Sequence, residues 1–207
     1  MVIKVCGIKT KENIELISKL EVDMVGLNFY PPSVRYIEPE FPAVHFDILP
    51  DEIKRIGVFV NETKKNINLI AEKFKLDYIQ LHGDEDVDFC RSLAKNHKII
   101  KVFRIDDNTD FNKISEFSFA DYFLFDTATK HFGGSGKKFD WSRIDLYNGN
   151  TPFLLSGGIG PLDDELVKLY THKQYIGIDI NSKFESTLAV KDSEKLTPFI
   201  NAIRTKT

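Results

Sequence analysis

Cys6 and Asp126 are the two side chains of this sequence best placed to move protons, because each closes a short apolar run, residues 2–6 and 122–125. A thiol is a useful base only as thiolate, which from a free pKa of about 8.5 requires a cation or a helix end beside it. Taken alone, Cys6 reads more readily as a small buried hydrophobe, as Cys90 does on its helical face. Other apolar runs also end in polar groups. Arg35 follows the second, Gln80 and His82 close the fourth, Ser156 the seventh, and Asp179 and Asn181 the eighth. Any one of these can be a cap or a loop anchor, but together they resemble the rim of a site. Glycine turns add a substrate class. Gly133-Gly134-Ser135-Gly136, then Ser156-Gly157-Gly158-Ile159-Gly160, then Asp179-Ile180-Asn181-Ser182 follow the last three runs. Backbone N–H groups exposed at such turns cradle anions, so a phosphorylated metabolite is expected. The plainer reading is that the glycines only permit tight turns. The five histidines, His45, His82, His97, His131 and His172, show no paired ligand spacing, so no metal is expected.

The elements that must position these residues recur with a period. Eight Val/Ile/Phe-rich runs, at 2–6, 24–29, 55–60, 78–81, 99–104, 122–125, 152–155 and 175–180, are separated by stretches of helical periodicity. Most are continuously apolar, as strands are when helices cover one face and a barrel interior the other. At about 26 residues per unit this is near the minimum for a closed (β/α)8 TIM barrel, in which active sites form at the carboxyl ends of the strands. On a ring of eight, strands one and six are expected to stand opposite each other, with Cys6 and Asp126 facing across the mouth. Thr10 caps a helix carrying Ile14, Ile17 and Leu20; Asn61 or Thr63 opens another, and Asp84 precedes Val87 and Cys90. Pro161 reads as a first-turn proline before an inward face of Leu162, Leu166 and Leu169. The last helix starts near Asp192 with Leu196, Phe199, Ile200 and Ile203 inward. Prolines 31, 32, 39, 42 and 50 predict a shortened or distorted second helix. A doubly wound sheet would put a glycine-rich fingerprint after the first strand, where Cys6-Gly7-Ile8-Lys9-Thr10 has one glycine.

Composition excludes other classes. A net charge of -3, with 28 basic and 31 acidic residues, argues against a nucleic-acid partner. No apolar run reaches the roughly 18 residues of a membrane span, and two cysteines give no disulfide framework. Residues 1–207 are expected to form one soluble, cytoplasmic domain, as monomer or homodimer, with 42% hydrophobic residues and 17 Phe to fill its core.

In order along the chain, Lys4-Val5-Cys6-Gly7-Ile8, Gly26-Leu27-Asn28-Phe29-Tyr30 with Ser33-Val34-Arg35-Tyr36, Gly57-Val58-Phe59-Val60-Asn61, Gln80-Leu81-His82-Gly83, Asp126-Thr127 with Gly133-Gly134-Ser135-Gly136, and Ser156-Gly157-Gly158-Ile159 resemble the phosphoribosylanthranilate isomerase family. The resemblance implies a cofactor-free TIM barrel of tryptophan biosynthesis that takes a phosphosugar substrate through an Amadori rearrangement. It makes Asp126 the general acid and Cys6 the base. Arg35 becomes the partner of the anthranilate carboxylate, and Gln80 and His82 substrate-binding residues. The phosphate falls to Gly134, Ser156, Gly157, Gly158, Asp179, Asn181 and Ser182. One stretch departs: the family pattern Asp-Val-Ser-Ser-Gly-Val-Glu is here Asp179-Ile180-Asn181-Ser182-Lys183-Phe184-Glu185, with lysine for glycine. That lysine either adds charge near the phosphate or tolerates the turn at some strain. A pentose-phosphate epimerase would want a metal cluster. An indole-glycerol-phosphate synthase would want a catalytic lysine and carboxylate in the mouth, and a non-catalytic phosphosugar-binding barrel would have lost Cys6 or Asp126.

Overall fold

A computed structural model describes residues 1–38, 40–126 and 141–205. Eight parallel strands close a barrel in sequence order: β1 Val2–Cys6, β2 Met24–Asn28, β3 Lys54–Phe59, β4 Tyr78–Leu81, β5 Lys98–Arg104, β6 Tyr122–Asp126, β7 Phe153–Ser156 and β8 Tyr175–Ile180. The eight apolar runs predict these to within a residue or two at each end. Between β1 and β6 lie β8 and β7, so the two strands are three places apart on the ring. The strand facing β1 squarely is β5; the expected head-on opposition is therefore an oblique one.

The pleat decides which side chains reach the mouth. Met24, Ile56, Tyr78, Ile100, Val102, Leu124 and Leu154 form the cluster that fills the barrel, while a larger cluster packs between strands and helices. Side chains alternate along a strand, so two residues on from Met24, Ile56, Tyr78, Leu124 and Leu154 the same face presents Gly26, Val58, Gln80, Asp126 and Ser156. On β1 the same face carries Val2, Lys4 and Cys6. Lys4 is thereby placed inside the barrel, at 0% exposure, in register with Asp179 of β8.

The helices are α1 Lys11–Ile17, α2 Lys64–Phe74, α3 Val87–Ala94, α4 Phe111–Ile114, α5 Asp164–Leu169 and α6 Ser193–Arg204. Thr10 and Thr63 cap as expected, accepting the N–H of Asn13 and Asn66 at 3.2 and 3.3 Å. Asp86, not Asp84, caps α3 through the Phe89 N–H at 2.7 Å. The proline-rich second unit holds only a 3-10 helix over Ala43–Ile48 before β3, the distorted element that its prolines predict. The reading of the seventh unit fails. Pro161 lies in a turn, α5 starts three residues later behind Asp163, and Val167 is its buried residue. Leu162 is 94% exposed and Leu169 77%. Three leucines at helical spacing count as a core face only if the helix begins where the proline suggests. After β8, a 3-10 turn over Ser182–Phe184 leads into an unforeseen hairpin, β9 Glu185–Thr187 with β10 Val190–Lys191.

Beneath the β4 loop that carries His82, Lys101 and Glu85 form a buried ion pair at 2.7 Å. Glu85 also accepts the N–H groups of Asn61 (2.9 Å) and Gly83 (3.1 Å). Lys101→Met strands that carboxylate in the interior, and unfolding by urea should show a loss of about 3–5 kcal/mol. A loss below about 1 kcal/mol would mean the pair is worth no more than a surface one.

Candidate active site

The carboxyl ends of the strands enclose a cavity of about 220 Å³. Cys6, Gln80, His82, Asp126, Ser156, Gly157, Gly158, Asp179, Asn181 and Ser182 line its wall. Asn28, Val58, Ile159 and Lys183 complete it. Ten of the twelve residues singled out from the sequence therefore meet in one place. Of the other two, Gly134 lies outside the described residues, as does the rest of the 133–136 glycine turn. Arg35 stands beside the cavity and is engaged with Glu185.

Cys6 sits where β1 ends, its sulfur packed against Gly26 so closely that any side chain there would strike it. Burial pushes its thiol above its ordinary range, and Asp179 adds to this. The ammonium groups of Lys4 and Lys191 pull the other way. Lys4 donates to Asp179 at 2.9 Å. Burial opposes its charge, but Asp179 and Cys6 outweigh burial and hold the ammonium above its usual range. The carboxylate of Asp179 is thus committed to Lys4 inside the barrel, and its backbone lies within the β1–β8 ladder.

Asp126 ends β6 with its side chain partly exposed, 3.6 Å from Nε2 of His82. His82 Nδ1 is in turn 3.3 Å from Gln80 Nε2, so the two residues of the β4 end brace one another. Gln80 Oε1 is buried without a hydrogen-bond partner among the described residues. A buried acceptor with no donor is costly, and is satisfied when a ligand brings a hydroxyl.

Arg35 runs across Gly7, whose φ of +76° and lack of a side chain together make room for it. Its Nε and Nη2 both donate to Glu185 at 2.7 Å. A guanidinium has five N–H donors in a flat fork. The Nε edge is held by Glu185, and Nη1 has no such partner among the described residues. Burial opposes the charge on Glu185, but Arg35 and Lys191 hold its carboxyl below the ordinary range. Lys191 donates to Glu185 at 2.9 Å and to Asn181 Oδ1 at 2.8 Å, tying the hairpin to the β8 end. In the β7 loop Gly157 and Gly158 have φ of +96° and +69°. Gly160 donates its N–H to Asp163 at 2.8 Å and so has none to offer a ligand.

Sequence reasoning overlooked Lys4, Lys191 and Glu185 as parts of this site. For Lys4 a signal was present: a lysine inside the apolar run 2–6 must point into the barrel with its neighbours at two-residue spacing. Glu185 had one in matching the closing Glu of the family pattern after β8, whereas Lys191 had none, since it arrives on an unforeseen hairpin. Among the described residues no group of three or more His, Cys, Asp or Glu is arranged to hold a metal ion, and no helix is long and apolar enough to cross a membrane.

Barrel and mouth together define a TIM-barrel protein with acid–base side chains and glycine turns at the carboxyl-end face, where this architecture houses its enzymes. Comparison with known proteins narrows the class. A family model, N-(5'phosphoribosyl)anthranilate (PRA) isomerase, matches residues 3–202. The N-(5'-phosphoribosyl)anthranilate isomerase of Phocaeicola vulgatus is 45% identical over 100% of this chain and 99% of its own. That of Parabacteroides distasonis is 43% identical, over 98% and 93%. The crystal structure of phosphoribosyl anthranilate isomerase from Thermotoga maritima superposes with a TM-score of 0.87 at 33% identity, covering 99% of each chain. Another such isomerase, solved in complex with reduced 1-(o-carboxyphenylamino)-1-deoxyribulose 5-phosphate, gives 0.85 at 30% identity, again over 99% of each. The chain belongs to the phosphoribosylanthranilate isomerase family, whose reaction is a step of tryptophan biosynthesis.

Proposed function

We propose that this barrel, acting as one domain over residues 1–207 and without cofactor or metal, converts N-(5-phosphoribosyl)anthranilate to 1-(2-carboxyphenylamino)-1-deoxyribulose 5-phosphate, with Asp126 as general acid and Cys6 as general base. The observation that carries this reading is that a thiol and a carboxyl from separate strands line the same cavity, with the β7 glycine turn on its rim. Asp126 protonates the furanose ring oxygen as the C1–O bond breaks, and the nitrogen lone pair moves in to give a Schiff base. Cys6 thiolate then removes the C2 proton, yielding an enolamine that tautomerises to the ketose, an aldose–ketose isomerisation. Arg35, oriented by Glu185, offers its remaining edge to the anthranilate carboxylate. Gln80 Oε1 accepts from a ribosyl hydroxyl beside His82. Ser156, Gly157, Gly158, Asn181 and Ser182 surround the phosphate, and the family resemblance assigns Gly134 and Asp179 to it as well. The direct test adds purified protein to freshly made phosphoribosylanthranilate and follows its fluorescence. Rapid loss supports the reading, and loss no faster than the spontaneous breakdown refutes it.

The protonation states set a pH signature. The working form has a protonated Asp126 and an ionised Cys6, and it carries the same number of protons as the form with carboxylate and thiol. Changing pH does not alter the ratio of the two; it only adds or removes protons from the pair as a whole. Activity falls on the alkaline side when both are ionised, and burial has moved the Cys6 thiol above its ordinary range. kcat/KM should therefore stay flat through neutrality and fall only at alkaline pH. Lys191→Met removes a cation that lowers the thiol pKa, so the fall should move to still higher pH. A fall centred near neutrality, or one that ignores Lys191→Met, contradicts Cys6 as the base.

A further inference from the structure

Resting on that reading of the substrate, we infer that Lys183 is a phosphate-recognition residue of this chain, supplying a positive charge where the family pattern has a glycine. Its place in the fold is the first observation. Lys183 lies in the 3-10 turn over Ser182–Phe184 and lines the cavity together with Ser156, Gly157 and Gly158. The stem of the lysine runs alongside the β7 loop: a side chain added at Gly160 would meet its Cβ at 3.8 Å and its Cγ at 4.0 Å. The root of the lysine thus stands on the rim beside the β7 loop, and its exposed, flexible stem can bring the ammonium to a ligand there.

The second observation is one of charge. The other two lysines of the mouth are already neutralised, Lys4 by Asp179 at 2.9 Å and Lys191 by Glu185 at 2.9 Å. Lys183 has no ion-pair or hydrogen-bond partner among the described residues. A phosphate monoester carries about -1.5 to -2 charges at neutral pH. The glycine-turn amides supply donors but only partial charge, and the Gly160 N–H is spent on Asp163. Lys183, a cavity-lining ammonium that pairs with no carboxylate among the described residues, the neighbouring Asp163 being engaged by the Gly160 N–H, is therefore the group that matches it.

The third observation disposes of strain. A glycine can stand at a position that needs positive φ, and a lysine there would then be a cost. The described residues other than glycine with positive φ are Asn61, Lys75 and Ala189. Lys183 is not among them, so the turn accepts it in an ordinary right-handed conformation. The sequence reading left open a strained lysine, and the backbone removes that alternative.

The experiment titrates wild type, Lys183→Gln and Lys183→Arg with reduced 1-(o-carboxyphenylamino)-1-deoxyribulose 5-phosphate and with its dephosphorylated counterpart, at low and high salt. Wild type should prefer the phosphorylated compound. Lys183→Gln should lose about 3- to 10-fold of that preference at low salt, because a solvent-facing charge is partly screened, and should converge on wild type at high salt. Lys183→Arg should restore it, and affinity for the dephosphorylated compound should be the same in all three. If wild type prefers the phosphate and the Gln variant keeps the full preference at every salt concentration, the role of Lys183 is overturned while the substrate reading stands. If wild type does not distinguish the two compounds, the phosphate reading of the rim fails and the lysine proposal with it.

Discussion

Asp126→Asn lowers turnover on the order of 100-fold or more while leaving the affinity for the reduced product analogue nearly unchanged. The amide is close to isosteric with the carboxyl and keeps an acceptor facing His82, 3.6 Å away in the native arrangement. It has no acidic proton to place on the furanose oxygen, and general-acid contributions are typically worth 10²- to 10⁴-fold. Because the side chain is partly solvent-exposed at the end of β6, no core contact is lost and the melting temperature should hold. A variant with normal turnover and normal binding would remove Asp126 from the mechanism.

Cys6→Ser is expected to be the more damaging change, about 1,000-fold in turnover, since a hydroxyl cannot ionise appreciably where a thiol already has to be helped. The structure says why this substitution isolates the chemistry. Sulfur packs tightly on Gly26, so a smaller oxygen fits without pushing on β2, and the Lys4 ammonium stands close enough to donate a hydrogen bond to it. If Cys6 were only a packed thiol, the serine variant would melt somewhat earlier and work normally. Melting and turnover measured on one preparation separate the two accounts.

How far the sequence reaches is best seen on β1. The run 2–6 is legible as a strand, and Cys6 as its polar end, because a strand covered on both faces is apolar throughout. Lys4 breaks that rule and is for that reason the most informative residue in the run: an ammonium at 0% exposure exists only with a partner, and the partner comes from β8, 175 residues away. The capping residues Thr10 and Thr63 are local devices and were legible. The orientation of α5 was not, because Leu162, Leu166 and Leu169 mimic a core stripe while Asp163 sets the start of the helix. Arg35 was legible as a functional cation, but its bidentate hold by Glu185 depends on a hairpin whose turn places Ala189 at a φ of +63°, a conformation that alanine does not advertise.

The division of labour between Asp126 and Cys6 is tested most directly by turnover of substrate carrying deuterium at C2 of the ribosyl group. Only the second step breaks that bond. In Cys6→Ser proton removal becomes rate-limiting, so the full primary isotope effect should appear in kcat/KM. In Asp126→Asn ring opening becomes limiting, and the effect should fall close to unity. The reverse pattern would exchange the roles of the two residues, and the same isotope effect in both variants would contradict a base and an acid acting in separate steps.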